Sequence, residues 1–471
     1  MLKPRVGLLA FSESHARNDV YKKRKPIWDR ELQRFVATLE ADAEIIWPSH
    51  REIRGKREAV QAVQEIHAAA ADCAVLYPPI FVAPALVAHA ANLLHVPIAL
   101  VHNDAPDSLS QLAFLAVAGA MDQIGVPCLR LPGDYAEAQN WPRLMAFLRA
   151  AAARQRLRGQ TYGSIGGRSL GISTGTADVA QWERLFGVDI EHIDQFEIAR
   201  RAENQNPETV SHHINWLSDK SETVAYNDSN FTPAHLQKQV GSYLATKELV
   251  KLYELDFMGV KCQPEMSNGY CLQCINVALA NDPYDADGRK QPVPCSCEAD
   301  ADGALTMQVL NLLSGGKPTN LNDIAWLTAN EMTLANCGSM ATYFATPSAD
   351  PDHSLARVQI LPHNFGEAGG AATVFTVPAG IEMTFARFFR RESQYALGVL
   401  SGVTEVKDRA AQSATIQTRP LIFVRMNIDK NHFLETFGSN HIHGIEGDFK
   451  RELRSFADIL GIDFFDYDLH G

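Results

Sequence analysis

The chain lacks an unbroken apolar stretch long enough for a membrane-spanning helix, which needs about 20 residues. Its longest apolar region runs from Cys73 to Val101 and is interrupted by Pro78, Pro79, Pro84 and Pro97. The opening apolar run, Val6 to Phe11, is shorter than the hydrophobic core of a usual secretory signal. We therefore expect a cytoplasmic protein that has no membrane partner.

Positive charge and cysteine are also scarce. The chain has 43 Lys and Arg residues against 55 Asp and Glu residues, which gives a net charge of −12. A nucleic-acid surface needs an excess of basic residues, and the one basic run, Lys22 to Lys25, is typical of a solvated helix start. Eight cysteines among 471 residues, with no export signal, indicate reduced thiols. No nucleic-acid partner is expected.

A dinucleotide fingerprint is missing too. The loop after the first predicted strand reads SESHARND, residues 12–19, and contains no G-x-G-x-x-G. The N-terminal region instead alternates short β-branched runs with amphipathic stretches, which is typical of a doubly wound parallel sheet. Strands are predicted at Arg5–Phe11, Ala43–Pro48, Cys73–Pro78, Pro97–Asn103 and Pro127–Gly133. Residues 1–162 are thus predicted to form a Rossmann/flavodoxin-like α/β domain.

Two further domains are predicted, because 471 residues are too many for one hydrophobic core. After the linker-like GSIGG, a second doubly wound α/β domain is predicted over residues 163–335, beginning with RSLGISTGTAD at residues 168–178. From 336 to 471, glycine-rich strand-like segments predict an antiparallel, β-barrel-like domain. Its final helix carries an apolar face of Phe449, Leu453, Phe456 and Leu460.

Two pairs of cysteines leave two interpretations open. Cys271 and Cys274 form a C-x-x-C, Cys295 and Cys297 form a C-x-C, and four thiolates are a structural zinc ligand set. However, C-x-C is the less usual spacing in zinc sites, and the first pair lies in the helix-periodic apolar stretch NGYCLQCINVALA. Packed free thiols are therefore favoured over a zinc-stapled scaffold.

Acidic residues behind the second pair point to a different site. A strand is predicted to end at Glu298, a helix follows from Gly303 to Leu313, and the next strand carries Asp323. As one βαβ crossover, the two strands would be parallel neighbours with both carboxylates at their carboxyl ends, where open α/β sheets build their sites. Such a pair favours a hard cation, Mn²⁺ or Mg²⁺. Asp300 or Asp302 is left to cap the helix.

Two segments resemble the L-fucose/L-arabinose isomerase superfamily of metal-dependent aldose–ketose isomerases. They are CEADADGALTMQVLNLLSGGKPTNLND, residues 297–323, and GSNHIHGIEGDFKRELRSFADILGI, residues 438–462. The resemblance implies that Glu298 and Asp323 bind the metal and also act as catalytic base and acid. It implies that His441 is the third metal ligand, with His443 as the alternative.

The same resemblance implies substrate contacts. Gln263 lies in GVKCQPEMSNGY, and His363 lies in ILPHNFGEAGG, which is similar to a segment that supplies a further metal-ligating histidine. Asn440 adjoins the implied metal histidine. In the family, the N-terminal domain of a neighbouring subunit closes over the sugar. We therefore expect a homo-oligomer with its active site near a subunit interface, and Arg17 in the lid loop.

The reaction implied is the isomerisation of an open-chain pentose, deoxyhexose or anionic hexose. A proton would move through a cis-enediol, with a hydride shift as the rival route. Arg17, Lys261 and Arg387 are the candidates to meet an anionic group on the sugar. The other classes considered are a dehydratase or epimerase with the same metal-enolate chemistry, a non-catalytic sugar-binding protein, and a zinc-stapled scaffold.

Overall fold

The computed structural model of the chain describes residues 2–227, 229–407 and 419–469. The chain divides into two compact units: Met1–Gln155 with Arg451–Ile459, and Arg156–Lys450 with Leu460–Gly471. The predicted domain limit at residue 162 falls near the end of the first unit, and most of the other two predicted domains lies in the second unit. Within the described ranges, no helix is both long and apolar enough to cross a bilayer.

A five-stranded parallel sheet forms the centre of the first unit. Its strands, in spatial order, are Glu44–Ile46, Arg5–Ala10, Cys73–Tyr77, Ile98–His102 and Leu129–Asp134. All five strands predicted from the sequence are confirmed. Successive residues of one strand serve opposite faces of the sheet, so that Leu8 and Leu9 belong to two different apolar clusters. Because both faces are covered, the inner strands are apolar throughout rather than alternating.

Helices of the first unit pack on the two faces of this sheet. They span Asn18–Asp42, Lys56–Ala68, Pro84–Leu93, Ser110–Gln123, Asn140–Leu157 and the terminal helix Lys450–Leu460. Pro84 opens its helix, where the missing N–H group has no intrahelical partner to lose. On the terminal helix, Leu453 and Phe456 are fully buried, which confirms the predicted apolar face at these two positions.

A four-stranded parallel sheet lies in the second unit. Its strands, in spatial order, are Cys295–Cys297, Phe257–Val260, Thr161–Ile165 and Asp189–Ile193. The parallel α/β architecture predicted here is confirmed, but its first strand lies ahead of RSLGISTGTAD, partly in the stretch predicted as a linker. Gly163 made this stretch resemble a linker rather than a strand. It is needed there because a Cβ at this position would lie 2.5 Å from Leu255.

A larger, mostly antiparallel sheet also belongs to the second unit. Its strands, in spatial order, are Glu382–Arg391, His441–Glu446, Asn320–Leu327, Glu331–Ala335, Leu421–Arg425, Gln394–Glu405 and Asp463–Asp466. The strands at 382–391 and 394–405, the first and sixth in this order, also pair with each other. The pairings therefore form a closed circuit of six strands. The predicted antiparallel character is confirmed, whereas the barrel-like shape stays a prediction.

The parallel crossover predicted between the strands of Glu298 and Asp323 is wrong. Cys295–Cys297 lies in the parallel sheet, and Asn320–Leu327 lies in the antiparallel one. A tight turn, in which the Thr328 N–H donates to the Glu331 carbonyl at 2.8 Å, folds the second strand back on its successor. Strands joined by so short a turn are antiparallel. The intervening helix, Ala301–Ser314, therefore connects two different sheets.

The remaining elements of the second unit are short strands and helices. A three-stranded sheet joins Ala371–Val374, Gln359–Pro362 and Thr223–Val224, and a hairpin joins Tyr284–Asp285 to Gly288–Arg289. The helices are Val179–Leu185, Phe196–Ala202, Pro207–Lys220, Pro233–Leu252, Glu265–Gly269, Cys274–Asn281, Ala301–Ser314, Pro351–Ser354 and Lys430–Thr436. The helix predicted in NGYCLQCINVALA is confirmed from Cys274 onward.

Candidate active site

The three residues predicted to bind a metal meet at His441. Its Nε2 atom lies 3.4 Å from Glu298 Oε2 and 3.3 Å from Asp323 Oδ1. His441 is 1% exposed, whereas 35% of the Asp323 side chain is exposed, so that the group is closed at the histidine and open at the aspartate. We call these three residues the His441 cluster.

Antiparallel pairing brings two members of the cluster together. Asp323 and His441 are directly opposite each other on neighbouring strands of the large sheet. Residues opposite each other in this way project their side chains from the same face, with Cβ atoms about 5 Å apart. The register of the sheet, rather than parallel strand ends, thus places the carboxylate beside the imidazole.

A sharp turn delivers Glu298 from the parallel sheet. Glu298 directly follows the strand Cys295–Cys297, and both Glu298 and Ala299 have left-handed backbones, with φ of 61° and 51°. Such conformations are uncommon for residues other than glycine, and they concentrate at functional sites. The Ala299 N–H donates to the Val260 carbonyl of the adjacent strand at 3.1 Å, which fixes the turn.

Asp300 holds the imidazole of His441 in place. Its Oδ2 atom accepts a hydrogen bond from His441 Nδ1 at 2.7 Å, and it is ion-paired with the fully buried Arg387. Its other oxygen caps the helix by accepting from the Gly303 N–H at 2.9 Å. Burial opposes the charge on Asp300, but Arg387 and His441 outweigh it and hold the pKa of this carboxyl well below its usual range. Asp300 is therefore a fixed anion behind the cluster.

The residue types of the cluster, one imidazole and two carboxylates, are ones that bind divalent cations. With Nδ1 donating to Asp300, the neutral imidazole turns the lone pair of Nε2 toward two carboxylate oxygens. One of these, Glu298 Oε2, is buried and has no hydrogen-bond partner. This arrangement requires a positive charge at its centre, from either a proton or a metal ion. Burial opposes protonation of His441, but its hydrogen bond with Asp300 and the nearby carboxylates of Asp323 and Glu298 raise the imidazole pKa well above its usual range.

His443, the alternative to His441, lies deeper. It is fully buried and neither ring nitrogen has a hydrogen-bond partner. A Cβ on Gly303 would lie 2.6 Å from His443 Nε2, so that the start of the helix packs directly on this ring. Burial and the nearby Arg387 hold the pKa of His443 well below its usual range. The contacts with Glu298 and Asp323 thus belong to His441.

Two of the predicted substrate residues lie close to the elements of the cluster. The Asn440 amide donates to Asp323 Oδ1 at 3.3 Å. Gln263 is half-buried just beyond the strand Phe257–Val260, which pairs with Cys295–Cys297 so that Val260 and Cys297 are in register. Gln263 and Glu298 therefore extend from the same edge of the parallel sheet. Their roles toward a substrate stay predictions.

The other two predicted substrate residues differ in setting. His363 is 2% exposed; its Nε2 is bonded to the Cys337 carbonyl at 2.7 Å, and its Nδ1 accepts the Phe365 N–H at 3.1 Å. Both ring nitrogens are thus in use, and neither is free for a ligand in this arrangement. Arg17 belongs to the first unit, where it pairs with Glu13 at 3.5 Å. Its role in a lid stays a prediction.

The cysteines of the two sequence pairs have separate surroundings. Cys297 Sγ lies 3.0 Å from Cys337 Sγ, and Cys274 donates to the Cys337 carbonyl at 3.4 Å. Cys271 instead contacts the Ser242 hydroxyl at 3.8 Å. All eight cysteines are free, and in the described ranges the four do not form one compact ligand group.

A second group of possible metal ligands lies elsewhere in the same unit. His213, Asp285 and Asp287 place one ligand atom each within 4.8 Å of one another. Lys247 pairs with both carboxylates of this group: its Nζ lies 2.8 Å from Asp285 and 2.9 Å from Asp287. Tyr243 adds a hydrogen bond to Asp285 at 2.6 Å. We call His213, Asp285, Asp287 and Lys247 the Lys247 cluster, in which both carboxylates share one lysine.

Sequence reasoning found one role of Asp300 and missed two others. Its position before a helix predicted the cap, and the cap is confirmed. Its bonds to His441 and Arg387 connect residues far apart in sequence, from strands whose pairing the helix periodicity did not reveal. The signal available in the sequence was the position of Arg387, an arginine inside the apolar run of a strand. The structure shows that it is fully buried, and a buried arginine requires an acidic partner.

Comparison with known proteins bears on the identity of the chain. Residues 334–468 match the family described as L-fucose isomerase, C-terminal domain. The sulfoquinovose isomerase of Clostridium sp. (strain MSTE9) is 23% identical over 328 residues, covering 68% of this chain and 68% of that protein. The sulfoquinovose isomerase of Alkalicoccus urumqiensis is 22% identical and covers 52% and 54%, respectively. The L-fucose isomerase of Clostridium perfringens (strain 13 / Type A) is 25% identical, over 25% of this chain and 21% of that protein.

A solved structure was also compared, an ABC transporter solute-binding protein from Burkholderia multivorans. It aligns over 67% of this chain at 13% identity, with a TM-score of 0.16 that is too low to support any argument. The residues of the family match, 334–468, include His441 and begin after Glu298 and Asp323. The family match and the relatives support the similarity of this chain to the L-fucose isomerase superfamily.

Proposed function

We propose that this protein is a sugar isomerase that interconverts an open-chain aldose and its ketose. In this proposal Glu298, Asp323 and His441 hold a divalent cation, Mn²⁺ or Mg²⁺. The observation that carries the proposal is the approach of two carboxylate oxygens, at 3.3 and 3.4 Å, to one imidazole nitrogen. When bound, the cation would polarise the carbonyl and hydroxyl oxygens of the sugar.

The chain's own groups would move the proton. Glu298 Oε2 is buried and unpartnered, so it is available to accept the proton from C2 of the aldose and return it to C1. Asp323 Oδ1 accepts the amide of Asn440 and is more exposed, which suits it to the hydroxyl oxygens. In the same step the hydroxyl proton on O2 passes to O1, so that the aldose and the ketose have the same atoms.

The substrate is proposed from the relatives. Two of them are named for sulfoquinovose, a sulfonated hexose, and one for L-fucose, a neutral deoxyhexose. We therefore propose a hexose or deoxyhexose that carries either a neutral or an anionic group at its distal end. A homo-oligomer in which the Arg17 loop covers the sugar of a neighbouring subunit is part of the proposal, and sedimentation analysis tests it.

The decisive experiment separates metal binding from turnover. Protein stripped with EDTA is reloaded with Mn²⁺ or Mg²⁺ and incubated with the sugars in D₂O, and ketose formation is followed by NMR. We expect ketose only with metal, with deuterium at C1, and one metal ion per chain by elemental analysis. Deuterium-free ketose would point either to a hydride shift or to return of the C2 proton without exchange with solvent. A product that has lost water, or an epimer, would contradict the isomerase.

A matched pair of variants assigns the metal to the cluster. Glu298→Gln removes one ligand charge and should abolish both metal binding and ketose formation. Glu183→Gln makes the same change at an exposed position of the helix Val179–Leu185. It should alter neither metal binding nor ketose formation. Retention of the metal by the Glu298 variant would place the ion elsewhere.

A further inference from the structure

Arg419 has no acidic partner among the residues that the structure describes. It is half-buried, its Nε atom is buried without a hydrogen-bond partner, and no described carboxylate forms an ion pair with it. Its guanidinium stacks on the ring of Phe365, 4.7 Å from the ring centre. A partly desolvated cation that has no described counter-charge can take one from a ligand.

The other cations considered for an anionic sugar all have acidic partners. Arg387 is ion-paired with Asp300 inside the protein, and neither side chain has more than 1% exposure. Lys261 pairs with Glu265 at 2.7 Å. Arg17, in the first unit, pairs with Glu13. Each would have to give up an existing ion pair before it bound an anion.

A short path of contacts links Arg419 to the His441 cluster. Phe365, on which Arg419 stacks, donates its N–H to His363, and His363 is bonded to the Cys337 carbonyl. Cys337 Sγ lies 3.0 Å from Cys297 Sγ, and Cys297 directly precedes Glu298. Burial is the main reason that the pKa of His363 is lowered, and the charge of Arg419 adds to the effect. Contacts between described residues thus connect Arg419 to the strand that ends just before Glu298.

We propose that Arg419 binds an anionic substituent, a sulfonate or a phosphate, at the distal end of the sugar. A planar guanidinium offers such groups two parallel N–H donors, and stacking on Phe365 holds the plane in one orientation. This inference rests on the proposed isomerase function and deepens it, because it selects the anionic substrate class over the neutral one.

The test compares three aldoses that share one glucose framework and differ only at C6: sulfoquinovose, glucose 6-phosphate and the neutral quinovose. Binding to the Mn²⁺-loaded protein is measured by isothermal titration calorimetry, and turnover by NMR. We expect Arg419→Gln to weaken binding of the preferred anionic sugar roughly 10- to 100-fold and to leave quinovose unchanged. Arg419→Lys, which keeps the charge but loses the paired donors, should fall between.

Arg391→Gln is the matched control. Arg391 also stacks on a phenylalanine, Phe465, at 5.7 Å, but it is exposed. The Arg391→Gln variant should leave the affinities for all three sugars unchanged. Circular dichroism checks that the Arg419 and Arg391 variants are folded. The wild type's preference between sulfoquinovose and glucose 6-phosphate tells which anion the site takes.

The outcomes separate this inference from the proposed function. Anion-selective binding that depends on Arg419, without formation of any ketose, would support the anion site and overturn the isomerase. Ketose formation with equal affinity for quinovose and the anionic sugars, and no effect of Arg419→Gln, would support the isomerase and overturn the anion site. An equal loss for all three sugars in the Arg419 variant would also overturn it, because it would show a structural role.

Discussion

The His441 cluster and the Lys247 cluster have similar residues and opposite charge balance. Each has a buried histidine beside two carboxylates. In the Lys247 cluster the ammonium group lies within 2.9 Å of both carboxylates and offsets part of their charge. In the His441 cluster, no lysine or arginine of the described chain pairs with Glu298 or Asp323.

In the His441 cluster the arginine contacts the carboxylate behind the histidine rather than the cluster itself. Arg387 binds Asp300, and Asp300 in turn binds His441 Nδ1. The arginine therefore pairs with the supporting carboxylate and not with Glu298 or Asp323. Composition alone does not distinguish a metal site from a structural ion-pair network; the position of the nearest lysine or arginine does.

The largest expected effect comes from replacing the histidine of the His441 cluster, and the histidine of the Lys247 cluster serves as its control. His441→Asn should reduce Mn²⁺ affinity more than about 100-fold, since outer partners of metal ligands are already worth about 10- to 100-fold. His213→Asn, in the Lys247 cluster, should leave Mn²⁺ affinity unchanged. Competition with a fluorescent chelator measures both. Loss of metal in the His213 variant alone would reverse the assignment of the two clusters.

The supporting carboxylate should have the next largest effect. Asp300→Asn removes the counter-charge of the fully buried Arg387, which we expect to destabilise the fold by about 3–5 kcal/mol. It should also weaken Mn²⁺ binding about 10- to 100-fold, because the imidazole loses its anionic acceptor. Urea unfolding and chelator competition measure the two effects. Asp285→Asn, the control, should reduce stability without changing metal affinity.

Close packing of a helix on the ligand shell distinguishes the His441 cluster further. A Cβ at position 303 would lie 2.6 Å from His443 and 2.7 Å from Asp300. We expect Gly303→Ala to lower stability by about 1–3 kcal/mol, the usual range for overpacking. Gly119→Ala, in the helix Ser110–Gln123 with nothing within 4 Å of its Cβ, should be neutral or stabilising. Equal effects in urea unfolding would mean that the space beside His443 is not limiting.

Local patterns in the sequence were sufficient for much of the fold. The parallel strands of the first unit are short apolar runs between amphipathic stretches, and such runs predict their own positions, as Cys73–Tyr77 shows. Glu298 and Asp323 were identified because each adjoins or lies in a predicted strand around one helix. That helix begins and ends close to the predicted limits, since Asp300 caps its start and Gly315 its end.

What the sequence did not reveal depends on pairing across long separations. The strand of Asp323 was placed in the wrong sheet because its partners, around residues 335 and 441, are chosen by a turn and by register rather than by local periodicity. The Lys247 cluster gave no signal, since its members are spread over three separate elements. The need of Arg387 for an acid was readable, but not which acid it would meet.

The smallest expected effect concerns the lysine that makes the two clusters different. Lys247→Met should lower stability by at most about 1 kcal/mol at pH 7, since 39% of its side chain is exposed and the ion pairs are screened. Burial opposes the charge on Asp285, but Lys247 and Tyr243 outweigh it and lower the pKa of this carboxyl. A lowered pKa contributes stability above the unfolded value, about 4, and loses it as the pH falls further. The difference in stability from wild type, measured by urea unfolding, should thus shrink in acid. Lys251→Met, which replaces an exposed lysine on the same helix, should show no such difference.

If the Lys247 variant also takes up a second, weakly held Mn²⁺, the position of one ammonium group is what separates an ion-pair network from a metal site in this fold. If it takes up none, the shape of the His441 cluster matters as much as its charge.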